Sequence, residues 1–178
     1  MTRSRRFLCL LALGWLVVPA ALADSQNHQS PGAFVAEAFA GDPPTPQTVW
    51  LVGDLGEAAS EILGHPPNRL RERYWRRGNR SVWILEEVGK ERPITVGWIL
   101  RADEVTGTEV LIYRESRGWE VRYPSFTGQF DGAELTTDLE LDRNIDGISG
   151  ATLSVRAMRN MARLALLLQR HVIANDDP

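Results

Sequence analysis

Cysteine is nearly missing from these 178 residues: the sequence holds one, Cys9. It falls in an N-terminal stretch that reads as a leader, so the chain that follows is expected to contain no thiol. A structural disulfide, a cysteine nucleophile, a zinc–thiolate cluster, an iron–sulfur centre and a thioether-linked haem are thereby excluded. Lysine is as scarce, with Lys90 alone against 19 arginines, which reads as genome composition rather than chemistry. Of the three histidines, His28 falls in a segment read as a tail, which leaves His65 and His171 as imidazole candidates. Positive charge is not in excess either. The formal charge of −3 becomes −6 once Arg3, Arg5 and Arg6 leave with the leader, which argues against nucleic acid as a partner. No internal repeat is visible. Any redox or hydrolytic chemistry must then come from a bound organic cofactor or from carboxylates.

What is present fits a folded domain, with 43% hydrophobic and 24% charged residues. Residues 2–6 form a basic n-region, 7–18 a leucine-rich core, and Ala21-Leu22-Ala23 supplies small residues for cleavage. Residues 1–23 are therefore expected to be a secretory signal peptide, which places the domain in the periplasm. An uncleaved anchor is the alternative, because the apolar stretch is almost long enough to span a bilayer; that would hold the domain at the outer face of the inner membrane. Residues 24–47, ending in a proline-rich run, read as a disordered tail or spacer, with a short helix conceivable over 33–40.

Beyond it, Val49 to Val52 is a brief apolar run, and Asp54 with Glu57 resembles a capping box opening a helix over about 55–63, stopped by Gly64. Four short runs of β-branched and aromatic residues follow, over about 70–75, 82–88, 94–100 and 110–113, with turns at Gly78-Asn79 and Thr106-Gly107. An irregular stretch covers 115–139. From 151 to 171 there is no glycine or proline, and Val155, Met158, Met161, Ala162, Ala165, Leu168 and Val172 share one face at helical spacing. Thr152 falls on the opposite side with Arg156, Arg159, Arg163 and Arg170. The expected fold class is α+β: a mainly antiparallel sheet of four or five strands, a short N-terminal helix and a long C-terminal helix packed on it.

The segment leading into the long helix runs Asp146-Gly147-Ile148-Ser149-Gly150-Ala151-Thr152. Its small residues before free first-turn amides make a natural phosphate cradle, to which Arg156 could add charge. A plainer reading also stands: Ser149 or Thr152 caps the helix and Gly147 makes a turn.

Asp-x-x-Ser-Gly-Ala-Thr resembles the flavinylation motif of the FMN-binding domain family, which includes flavin subunits of sodium-translocating NADH:quinone oxidoreductase and many small exported proteins. Glu115-Ser116-Arg117-Gly118 resembles the family's Glu-Thr-Pro-Gly loop, and Phe126 through Gln129-Phe130-Asp131-Gly132 its Phe-x-x-Gln-Phe-x-Gly segment. Arg117 replaces the usual proline, and Ser154-Val155 follows the motif where Thr-Ser is common. The resemblance implies an FMN-binding domain over 48–174, with FMN esterified through its phosphate to Thr152 by a flavin transferase that uses FAD. The cofactor-binding set it implies, together with the cradle reading, is Thr152, Ala151, Gly150, Ser149, Asp146, Arg156, Glu115, Ser116, Gly118 and Trp119. Trp98, Tyr113, Trp119 and Tyr123 could stack on the ring, with Trp119 preferred. Such a protein is expected to be an electron-transfer module working with a membrane or periplasmic redox protein. A flavin-dependent reductase of a small substrate and a cofactor-free binding module of the same fold are the rival readings.

Three other features read as structural. Glu86-Glu87 and the trio Asp138, Glu140 and Asp142 read as solvated faces. The cluster Arg69, Arg71, Arg73, Arg76, Arg77 and Arg80 reads as one exposed hairpin face, or as a docking surface for an acidic redox partner or anionic lipid headgroups. His65 and His171 read as helix-end residues.

Overall fold

The computed structural model describes residues 29–175, so the signal peptide read for 1–23 lies outside the described residues. Helix α1 (Pro31–Ala38) comes first, then strand β1 (Gln47–Trp50), helix α2 (Gly53–Leu63) and strands β2 (Arg71–Arg77), β3 (Arg80–Val88), β4 (Pro93–Arg101) and β5 (Glu104–Tyr113). The strands lie in the order β1-β2-β3-β4-β5, each antiparallel to the next. Short turns of 3-10 and α-helix follow over Trp119–Arg122, Pro124–Thr127 (α3) and Gly128–Phe130, and the long helix α4 spans Thr152–Ala174. The α+β class expected from the sequence is the one observed.

Strand alternation makes the layers. Tyr74, Trp83, Leu85, Val96, Trp98 and Leu100 all point to one face of the sheet, where they pack with Met158, Met161, Ala165 and Leu168 of α4 in the main core. Each such side chain removed from water contributes roughly 1.5–3 kcal/mol, and this face therefore carries most of the stability. The apolar positions read from helical spacing are all buried.

The opposite face holds a smaller cluster of Phe34, Val35, Ala38 and Phe39 against Val82 and Leu111. Here the structure departs from the tail or spacer read for 24–47: from Pro31 onward that segment forms α1 and packs on the sheet. Ser30 caps it, its Oγ accepting from Ala33 N–H at 3.2 Å, and Pro31 occupies the first turn. Gly97 provides the seat, because any Cβ there would strike the Phe34 ring. The capping box expected at Asp54 does not form. Val52 is the N-cap of α2 without a side-chain bond, and Asp54 lies in the first turn, where only its charge complements the helix. Gly64 ends α2 as expected, at φ 78°.

Candidate functional site

Helix α4 begins without a side-chain cap. Ala151 is its N-cap residue, and neither Ser149 nor Thr152 caps it. The amides of Thr152, Leu153 and Ser154 have no acceptor within the helix, because the first turn of any α-helix lacks them. Gly150 approaches in the left-handed region at φ 80°, with nothing within 4 Å of where a Cβ would be. Thr152 and Leu153 are exposed, while Ala151, Ser154 and Val155 are buried.

An open cleft of about 500 Å3 lies over this turn, lined by Gly150, Ala151, Thr152, Leu153 and Ser154 on one side. Glu115, Ser116 and Arg117 line it from the loop after β5, and Lys90 and Glu91 from the β3–β4 turn. Hydrogen bonds hold these three segments together. One oxygen of Glu115, Oε1, accepts from the backbone N–H groups of Lys90, Glu91 and Arg92 at 2.5, 2.7 and 2.9 Å. Desolvation pushes the Glu115 carboxyl up, but the three amide bonds and the nearby Lys90 charge outweigh it and hold it below the usual range. Gly118, at φ 80°, packs so closely on the α4 turn that a Cβ would lie 3.0 Å from Ala151 Cβ and from Tyr113 Oη. The Tyr113 hydroxyl lies 2.5 Å from the Arg117 carbonyl, to which it donates, and 3.2 Å from Ser154 Oγ. Burial pushes that phenol above its ordinary value, against the opposing bond from Ser154.

The second upstream segment also reaches the turn. Gln129 Oε1 accepts from the Asp146 N–H at 2.7 Å, while Phe126 and Phe130 anchor the segment in the core, Phe130 packing edge-on against Trp98 at 5.2 Å.

Residues 89–167 match the model of the FMN-binding domain family. These residues belong to that family. The fold is similar to the crystal structure of NqrC from Shewanella oneidensis, at 13% identity and a TM-score of 0.55, covering 78% of this chain and 88% of that one. No curated protein matches the sequence significantly. FMN is thus the cofactor of this domain, and the cleft suits it. Its volume falls in the ~300–1,000 Å3 range of cofactor sites. The uncapped amides and the open space at Gly150 are where a phosphate can approach backbone.

Of the residues singled out from the sequence, Thr152, Ala151, Gly150, Glu115 and Ser116 line the FMN-domain cleft, and Gly118 packs behind Ala151. Asp146, Ser149, Arg156 and Trp119 are outside its lining. Asp146 and Ser149 sit exposed in the approach to α4, Arg156 is exposed one turn into it, and Trp119 stacks edge-on with Tyr123 at 5.1 Å. Trp98 cannot stack on a cleft-bound ring, since it is wholly buried. Sequence reasoning missed Lys90 and Glu91, 62 and 61 residues before Thr152. Nothing local signals them, because the three bonds to Glu115 bring them there.

Of the carboxylates read as solvated, Asp138 and Glu140 are exposed as read, but four of the five are engaged in pairs. Glu87 is buried, with His65 Nε2 at 3.0 Å, and that hydrogen bond is the main cause raising the His65 pKa. On the other face Glu86 pairs with Arg69 at 2.5 Å and Arg114 at 3.1 Å. Asp142 pairs with Arg143 and Glu140 with Arg163. His171 does sit in the last turn of α4.

Proposed function

We propose that the protein is an exported flavoprotein carrying FMN through a phosphoester on Thr152 and passing electrons between a membrane or periplasmic redox protein and a second partner. The observation that carries this reading is the placement of Thr152. It is exposed in the uncapped first turn of α4 and lines a cleft that also holds Lys90 and Arg117, two cations suited to a phosphodiester's charge. Attachment needs a flavin transferase. The Thr152 oxygen forms a bond to the FMN phosphorus of FAD, the pyrophosphate bond breaks, AMP leaves, and the hydroxyl proton passes to the transferase. The bound flavin supplies one- or two-electron transfer, and the chain holds it, orients it and limits water around it. The loop clamped by Glu115 and the Gly118–Ala151 contact do that holding.

Intact-mass spectrometry tests the attachment on protein from cells that express the transferase. Wild type is expected to carry one FMN adduct and Thr152→Ala none. An adduct that survives in Thr152→Ala removes the assignment. Steady turnover with an artificial donor and a small acceptor, with no partner protein present, would instead favour a reductase.

A further inference from the structure

Among the described residues the three most exposed large hydrophobic side chains are neighbours. Trp50, Val52 and Leu70 are 56%, 58% and 62% exposed. They meet because Leu51 N–H donates to the Leu70 carbonyl at 2.9 Å and Trp50 pairs with Arg71 across β1 and β2. Scattered exposed apolar residues are ordinary, but three in contiguous backbone at one end of a sheet form a patch that water disfavours.

Its surroundings are basic. Trp50 and Leu70 border an open groove of about 710 Å3 on the sheet face that α1 partly covers, together with Arg71, Arg73 and Trp75. The Arg71 guanidinium lies over the Trp50 ring, 5.8 Å from its centroid, and both Arg71 and Arg73 are exposed. Two acids adjoin. Asp54 follows Val52 by two residues, and Glu72, also on the groove, is pushed by burial to about 7, which removes much of its charge near neutrality. Tryptophan and aliphatic side chains flanked by arginine are the composition of a bilayer contact, the ring at headgroup depth and the guanidinium on lipid phosphate.

Chain direction agrees. Pro31 lines the same groove, and only seven residues separate it from the segment read as a leader. Seven extended residues reach about 25 Å at most, so a leader held in a bilayer would keep this end of the sheet beside that bilayer.

We infer that this tip docks on an anionic phospholipid surface, with Trp50, Val52 and Leu70 entering the headgroup layer and Arg71 and Arg73 meeting lipid phosphates. The antiparallel register puts the start of β2 at the same end of the sheet as the turn after β3 that lines the FMN cleft. Docking therefore turns the cleft toward the membrane. The inference stands on exposed surface and does not require covalent flavin.

The test uses the full chain with vesicles of equal parts phosphatidylglycerol and phosphatidylcholine, the lipids brominated near the headgroup, and reads quenching of tryptophan emission. Trp50→Phe leaves the other five tryptophans in place, Trp15 of the leader among them, so the difference between wild type and Trp50→Phe isolates the tip. Wild type is expected to show a quenching increment that Trp50→Phe loses. Arg71→Gln with Arg73→Gln is expected to weaken vesicle affinity by about 25-fold, at roughly fivefold per cation removed. Vesicles of phosphatidylcholine alone should abolish the increment. Equal quenching in wild type and Trp50→Phe overturns the inference, as does an increment indifferent to anionic lipid. Binding of polyglutamate by a wild type that ignores the vesicles overturns it too, and assigns the surface to an acidic protein. Unchanged far-ultraviolet circular dichroism and melting temperature verify that these exposed substitutions leave the fold intact.

Discussion

Toward its far end α4 leaves no side-chain amide unbonded, whereas its first turn leaves backbone donors open. Gln169 is wholly buried there: its Oε1 accepts from Ser81 Oγ at 2.6 Å and its Nε2 donates to the Ala102 carbonyl at 3.0 Å. Ser81 Oγ in turn accepts from Trp83 Nε1 at 2.8 Å. At the first turn Ala151 stands where a capping side chain would be, glycine precedes it, and Thr152 faces solvent. A buried polar group must be bonded or it costs about 1–3 kcal/mol, so the far end can serve only packing and register. Donors left open beside solvent cost little and remain available to a ligand. One helix thus separates anchoring from binding by where it buries its polar groups.

The largest expected effect comes from merging the two regimes. Gly118→Val puts a β-branched side chain at a left-handed φ and drives its Cβ toward Ala151 and Tyr113. A cost of about 2–4 kcal/mol is expected, with loss of flavin loading, because the loop must leave the cleft wall. Chemical denaturation alongside flavin absorbance checks both, and a stable variant that loads normally would show that the tight contact is dispensable.

Next in size is Gln169→Ala. It strands the buried Ser81 hydroxyl, empties the space of a buried side chain and removes the bond to the Ala102 carbonyl at the β4–β5 turn, for an expected cost of about 2–3 kcal/mol. Flavin loading below the melting transition should stay at the wild-type level. Reduced loading in a still-folded Gln169→Ala protein would mean that the two ends of α4 are coupled.

Glu115→Gln should cost about 1 kcal/mol near neutral pH, since an amide oxygen accepts the same three N–H groups without the charge. The carboxyl is held below its ordinary value in the folded state. Its contribution is therefore full above the unfolded pKa and is lost as pH falls through the folded one. Wild type and variant should converge in acid. Denaturation midpoints across that range test the sign, and a gap that widens on acidification would contradict it.

The same contrast explains what could be read without coordinates. The face of α4 from Val155 to Val172 was legible because helical spacing repeats over about five turns, and the Asp146–Thr152 string was legible because it is contiguous. The sheet followed from short β-branched runs between turn residues. Packing of α1 was not legible: it depends on the Phe34 ring finding Gly97, more than sixty residues away and missing a Cβ. Lys90 escaped for the same reason, its place being set by the carboxylate of Glu115. Asp54 misled because a capping box needs its first residue in extended backbone just before the helix, whereas α2 already begins at Gly53 and holds Asp54 in its first turn.

Thr152→Ala is expected to have the smallest effect on stability, below about 0.5 kcal/mol. Threonine at a helix start usually matters because its oxygen accepts from an amide two or three residues on, and losing that bond costs about 0.5–2 kcal/mol. Here the N-cap is Ala151 and no side chain caps the turn, so the methyl and hydroxyl of Thr152 can be removed without exposing a donor that was satisfied. Alanine also has the higher helix propensity, which offsets what little packing an exposed threonine provides. Thermal denaturation of flavin-free wild type and variant should then superimpose. A drop of several degrees would assign Thr152 to the capping role and remove the distinction between the two ends of the helix.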